Sequence, residues 1–136
     1  SDFGFTDPND SPANSLQSVI INTLPALGTL SLAAGASAPG PVTAGQEISA
    51  ADLAFLRYTP PANANGTGYA TFNFQVRDDG GTANGGVNID ASQNTITIDV
   101  TSVNDAPAGT NTTVTTNEDT VYSFTTTDFG FTDPND

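Results

Sequence analysis

The sequence predicts an all-β sandwich, and three observations carry that prediction. Short runs rich in Thr, Val, Ile and Phe alternate polar with apolar residues, as strands with one buried face must. Gly, Pro, Asn and Asp cluster between those runs, where turns belong. The nine residues DFGFTDPND at Asp2 to Asp10 recur at Asp128 to Asp136, so the chain returns on itself with a period of 126 residues. That period is too long for a solenoid unit and about right for one small domain, which makes the array beads on a string. At 136 residues there is room for one core.

The predicted elements follow in order. Leu16 to Asn22 and Gly28 to Leu32 read as strands. In Ser49-Ala-Ala-Asp52-Leu-Ala-Phe55, Ser49 can cap a helix while Asp52 reaches back to it, an acidic variant of the capping box, so a single helical turn is expected near 49–55. Leu56 to Thr59 is a strand that Pro60-Pro61 must end, because proline cannot donate to a continuing ladder. The loop Asn63 to Gly68 leads to the clearest strand, Tyr69 to Arg77. There Ala70, Phe72, Phe74 and Val76 share one face, and Thr71, Asn73, Gln75 and Arg77 the other. Its partner is Thr95 to Val103, with Ile96, Ile98, Val100 and Ser102 on one side. Thr112 to Thr116 and Thr120 to Thr126 form a final hairpin.

If Tyr69 to Arg77 and Thr95 to Val103 close the sandwich, the domain organisation follows. Residues 1–103 are the body of one repeat lacking its own first hairpin, 104–107 are an interdomain linker, and 108–136 are the first hairpin and acidic-loop segment of the next repeat. Entry and exit of an odd-stranded sandwich lie at opposite poles, ~35–40 Å apart. The seven residues Asn104 to Thr110 span at most ~25 Å. The hairpin is therefore expected to complete the body of a neighbouring copy, head to tail, with a continuous covalent array as the alternative.

Charge sets the class of partner. Fifteen acidic residues face two basic ones, Arg57 and Arg77, and the net charge is −13. Nucleic acid and anionic lipid are excluded as partners, and cations are the natural counterparts. No apolar run approaches the ~20 residues that a membrane helix needs. With no His, Cys or Lys, imidazole bases, thiol nucleophiles and Schiff-base amines are absent, so only a carboxylate pair could act in catalysis, and no enzyme is expected.

Eleven of the fifteen acids sit in short turn-like stretches rather than in long like-charged blocks. Three of these stretches offer the carboxylate, amide and carbonyl oxygens that calcium takes six to eight at a time. They are Asp7-Pro-Asn-Asp10 with its repeat Asp133-Pro-Asn-Asp136, Arg77-Asp78-Asp79-Gly-Gly81, and Asn104-Asp105 together with Glu118-Asp119. Transition metals are disfavoured without imidazole or thiolate. Each stretch also has a plainer use as a backbone-capping turn. Glu47 and Asp52 read as solvated or capping residues, and Asp90 and Asp99 as exposed. Both arginines should pair with nearby acids. Phe3 and Phe5, with Phe129 and Phe131, should plug the sandwich end beneath the acidic site.

Val103-Asn-Asp-Ala-Pro107 resembles the calcium-binding linker between cadherin repeats. Arg77-Asp-Asp-Gly-Gly81 is similar to the acidic turn of those repeats, and Asn117-Glu-Asp119 to the acidic motif on their first strand. With DFGFTDPND and GTGYATFNFQVRDDGG, the whole period resembles the cadherin-like tandem repeats of giant bacterial surface adhesins of the RTX and biofilm-associated type. That resemblance implies an Ig/cadherin-like Greek-key sandwich and a calcium-stiffened extender at the cell surface, serving adhesion and biofilm formation, with glycan or host targets engaged through other domains. It also implies junctions where Asn104 and Asp105 lie between two bodies. Ser102 departs from the pattern, standing where the linker usually supplies a carboxylate. A calcium-dependent carbohydrate-binding module is the alternative, and the absence of Trp leaves only Tyr58, Tyr69 and Tyr122 as tyrosines for stacking on a sugar.

Overall fold

A computed structural model describes residues 2–133, as two compact units, Ser1–Thr101 and Ser102–Asp136. The first unit is the sandwich. Its four-stranded sheet has the order β4-β1-β6-β7, built from β1 (Leu16–Ile21), β4 (Gln46–Ser49), β6 (Gly66–Asp78) and β7 (Asn94–Val100). The three-stranded sheet has the order β3-β2-β5, built from β2 (Thr29–Leu32), β3 (Gly40–Pro41) and β5 (Leu56–Thr59). Every ladder is antiparallel. The chain crosses between the sheets after β1, β3, β4 and β5, so each sheet mixes strands distant in sequence.

Period-two patterning decides what goes inside. Val19 and Ile21 of β1, Leu30 and Leu32 of β2, Ile48 of β4, and Phe72 and Phe74 of β6 form one buried cluster with Val42. Ala70 is buried on the same face of β6, and Ile96 and Ile98 of β7 pack half-buried against the cluster. The register pairs Val19 with Val76, Ile21 with Phe74, and Phe72 with Ile96, which stacks the apolar faces of three neighbouring strands. Sliding any of these strands by one residue would turn its apolar face to water, so burial itself fixes the register.

The predicted helical turn is a 3-10 turn at Asp52–Phe55. The Asp52 amide donates to Ser49 Oγ (3.2 Å), and Ser49 Oγ donates to Asp52 Oδ2 (3.0 Å), so the two residues meet as expected, but the N-cap is Ala51 and no side chain caps the turn. The other carboxylate oxygen accepts from Ser37 N (2.9 Å), tying the turn to the β2–β3 loop. That amide is the main cause of an Asp52 pKa held below the usual carboxylate value, helped by the two serine hydroxyls and opposed by desolvation. The β6–β7 ladder shifts register between Gly66 and Ala70, and Asp99 Oδ1 accepts from the Gly68 amide (2.6 Å) in that irregularity. Asp99 is exposed as expected, yet it pins the neighbouring strand.

Two strands were not anticipated. β3 is two residues long and contains proline, tolerable at an edge where no ladder donor is needed. β4 carries a single apolar residue, Ile48, too little for a visible alternation. Arg57 corrects another expectation: its guanidinium donates to the carbonyls of Ala54 (2.7 Å) and Leu56 (2.9 Å) rather than to an acid. Arg77 does pair, its Nε lying 3.4 Å from Glu47 Oε1. Glu47 also accepts from the buried Ser18 hydroxyl, so it is more engaged than a solvated residue.

In the second unit the expected hairpin is not paired. Thr112 to Thr116 and Thr120 to Thr126 belong to no ladder, although the turn between them forms, with Thr120 N donating to Asn117 O (3.3 Å). A lone two-stranded ribbon with no apolar face covered is marginal in water, which accounts for the difference. Order there comes from a 3-10 turn at Thr126–Phe129 with a capping box between Thr125 and Asp128. The Tyr122 hydroxyl donates to Asp128 (3.0 Å), which pushes its pKa up. Ala108 and Thr132 exchange both backbone hydrogen bonds at 2.8 Å.

Candidate functional site

Four of the predicted ligand residues meet at one pole of the sandwich. β6 ends at Asp78, which is paired with Leu16 at the start of β1, and this register brings the acidic turn beside the chain that leads out of DPND. Asp79 Oδ1 accepts from Ser15 N (2.7 Å), and Asp79 N donates to Ser15 O (3.1 Å), locking the two segments together. Asp78 Oδ1 accepts from Gly80 N (2.8 Å) in a local turn.

Asn14 joins the two acidic stretches. Its backbone amide donates to Asp7 Oδ2 (2.8 Å), and its side-chain amide donates to Asp10 Oδ2 (2.7 Å). The Asn14 side chain lies so close to Gly80 that a Cβ there would run into it. Gly81 has φ +74°, a left-handed conformation that side chains disfavour. A side chain at Gly80 would have to displace the Asn14 amide, and one at Gly81 would be strained by its backbone conformation although the space around it is open.

Two small hollows open here. One of about 210 Å³ is lined by Asp10, Asn14, Asp78, Gly80 and Gly81 among others. The other, about 160 Å³, is lined by Asp7, Asp78, Asp90 and the half-buried Phe5. Phe5 therefore sits under the acids, as anticipated, while Phe3 packs edge-on against Phe74 with ring centroids 5.0 Å apart. One oxygen of each of Asp7, Asp10, Asp78 and Asp79 is occupied by an amide, and the other has no hydrogen-bond partner among the described residues. Among those residues no three acidic side chains converge tightly enough to enclose a metal ion by themselves.

Sequence reasoning missed Asn14 and the position of Asp90. Asp90 spends both oxygens on a turn, accepting from Ser92 N (2.9 Å) and Asn94 Nδ2 (2.6 Å). Nothing in the spacing of either residue marks it, since each is brought to the pole by tertiary pairing.

The remaining predicted ligands lie in the second unit. Asn104 Nδ2 donates to Asp105 O (2.9 Å), and Asp105 is half-buried. Glu118 and Asp119 occupy the exposed turn after Asn117, with Asp119 at φ +61°. Asp133 is exposed beside the bridging Thr132, and Asp136 lies outside the described residues. Phe129 and Phe131 are 62% and 67% exposed, so unlike Phe3 and Phe5 they plug nothing.

Fold and site define a class: a β-sandwich module with an oxygen-rich acidic pole and no imidazole, thiol or amine side chain. No protein-family model matches the chain, and neither a similar curated protein nor a similar solved structure was found.

Proposed function

We propose that this chain is a calcium-binding structural extender repeat of an extracellular bacterial surface adhesin or fibre, stiffened by calcium where successive copies meet head to tail. The observation that carries this reading is the gathering of Asp7, Asp10, Asp78 and Asp79 at one pole, with one oxygen of each unclaimed among the described residues. Neither arginine forms an ion pair with them among the described residues, which leaves these carboxylates open to a cation from solution. Hard oxygen donors with flexible turns suit calcium. Asp10, Asn14 and Asp78, with backbone carbonyls of the glycine turn and water, would hold an ion in the larger hollow, and Asp7 with Asp78 would hold one in the smaller. Calcium supplies charge neutralisation and a rigid cross-link, and no bond is made or broken.

At a junction, Asn104 and Asp105 would lie between two bodies. Asp133 and Asp136 would repeat the parts of Asp7 and Asp10 in the following copy, and Glu118 with Asp119 would serve the junction beyond. Calorimetric titration of the chelator-stripped chain tests this. Saturable calcium binding with Kd on the order of 10⁻⁴–10⁻³ M is expected, weakened about tenfold or more by Asp78→Asn, which removes a charge shared by both hollows. No binding at 10 mM calcium, or equal binding by the variant, would remove calcium from this reading; ~10 mM is well above that range.

A further inference from the structure

One side of the sandwich is open. β5 is an edge of the three-stranded sheet and β7 an edge of the four-stranded sheet, and neither has an outer partner among the described residues. Between these edges runs a trough of about 600 Å³, lined by apolar Leu30, Leu53, Leu56, Phe72 and Ile96 and by polar Asp2, Thr95 and Thr97, with Phe3 and Tyr58 completing it. Leu30 and Phe72 are core residues, so the trough reaches the core itself. Leu53, Leu56, Tyr58 and Ile96 are only half-buried along it.

The repeat says what fits there. Asp2 and Phe3 stand at the trough, and their counterparts Asp128 and Phe129 follow the unpaired segment 112–126 after a single residue, Thr127. The two copies share their local turn, with Gly4 at φ +58° and Gly130 at φ +54°. In the second copy Thr132 is bridged to Ala108, whereas its counterpart Thr6 has no backbone hydrogen bond among the described residues. One full turn of the repeat therefore places a segment like 108–126 alongside Thr6 and on past Phe3 into the trough.

Residues 112–126 have the matching chemistry. Both halves, Thr112 to Thr116 and Thr120 to Thr126, are uncharged and rich in strand-forming Thr, Val, Tyr and Phe, with Glu118 and Asp119 confined to the turn. Tyr122 and Phe124 lie two apart, so they share one face in a strand, and their rings already touch edge to face at 5.1 Å. Val121 is 89% and Phe124 63% exposed.

We propose that residues 112–126 of a second copy of this chain seat in this trough, pairing with the free edges of β5 and β7 while Val114, Tyr122 and Phe124 fill it. This rests on the reading of residues 102–136 as the beginning of the next repeat, and it deepens that reading by naming the surface that receives it. The contact is apolar and backbone-mediated, so it needs no calcium, and moderate salt strengthens it by screening two chains that each carry a charge of −13.

The test mixes isotope-labelled Phe124→Asp chain, whose trough is intact, with unlabelled native chain in chelator and 150 mM NaCl, a concentration at which the Debye length is about 8 Å. Phe124 is exposed, so the variant keeps its fold. Expected are saturable amide shifts in Leu56–Thr59 and Asn94–Val100, and none with unlabelled Phe124→Asp as titrant. Sedimentation of the native chain should show mass rising with concentration, with association about tenfold or more weaker in the variant. A native chain monomeric at all concentrations, with no edge shifts on mixing, overturns the proposal. So does a monomer whose own edge amides move when Phe124 is changed, because the segment then folds back on its own body. Calcium titration is read separately: edge shifts without calcium binding leave this proposal standing and sink the calcium site, and the converse does the opposite.

Discussion

Phe3 and Phe129 are the same residue in the same nine-residue sequence, and only their surroundings differ. Phe3 is half-buried on Phe74, whereas Phe129 is 62% exposed and, among the described residues, meets the Phe124 ring alone. Phe3→Ala should therefore destabilise the sandwich by roughly 2 kcal/mol, below the ~3–5 kcal/mol of a fully buried ring. Phe129→Ala should stay within about 0.5 kcal/mol in the isolated chain. Urea unfolding of both variants decides, and equal effects would mean that the two segments share one environment. Asp52 gives a second test at this scale. Its folded pKa is lowered, chiefly by the Ser37 amide, so its contribution is fully present above the unfolded value of about 4 and is lost as pH falls through the lower folded value. Comparing thermal stability of native chain and Asp52→Asn from neutral pH downward, the gap between them should be constant above about pH 4 and close below it. A gap that persists in acid would show that the side chain acts by shape alone.

Strands that bury a face were legible in the sequence, and strands held by their neighbours were not. β5 has the boundaries expected of it because Pro60-Pro61 stops it, and β1, β2, β6 and β7 follow the alternation of Val, Ile, Leu and Phe. β3 and β4 were invisible because two residues, or four with one apolar side chain, make no pattern; pairing with β2 and β1 creates them. The hairpin at 112–126 failed in the opposite sense, for it has the strand pattern and lacks a sheet to join. The acids of the pole were legible as turn residues, but Asn14, which bonds to Asp7 and Asp10, was not, since its role depends on the β1–β6 register. The β6 irregularity carries a prediction of its own. Gly68 has φ +62° and nothing within 4 Å of where a Cβ would stand, so Gly68→Val tests backbone strain without a clash. It should cost roughly 1–2 kcal/mol, the penalty of a left-handed residue with a side chain. Thr71→Val, exposed on the same strand, should change stability by less than about 0.5 kcal/mol. Equal unfolding midpoints for the two variants would mean that the strand relaxes its register at no cost.

Across the whole molecule, a charge of −13 with two basic residues makes self-repulsion a standing cost, greatest where carboxylates gather. Two remedies differ in kind. Sodium chloride screens all exposed charges, and its effect grows smoothly with ionic strength. Calcium at the acidic pole would bind the folded state alone, because the unfolded chain scatters Asp7, Asp10 and Asp78 along seventy residues or more. Linkage then sets the size of the effect. At 10 mM calcium and a Kd of ~10⁻⁴–10⁻³ M, one site adds about 1.4–2.7 kcal/mol. For a folded unit of this size that is a rise in Tm of roughly 5–15 °C. Sodium chloride at matched ionic strength should give a much smaller rise, and Asp78→Asn should lose most of the calcium-specific part while becoming slightly more stable in chelator through relief of repulsion. The measurement is a set of melts of both chains in chelator, in sodium chloride and in calcium. If calcium and sodium chloride raise Tm equally at matched ionic strength, the acidic pole is a solvated turn cluster, and any joining of one copy to the next would rest on the proposed seating of residues 112–126 alone.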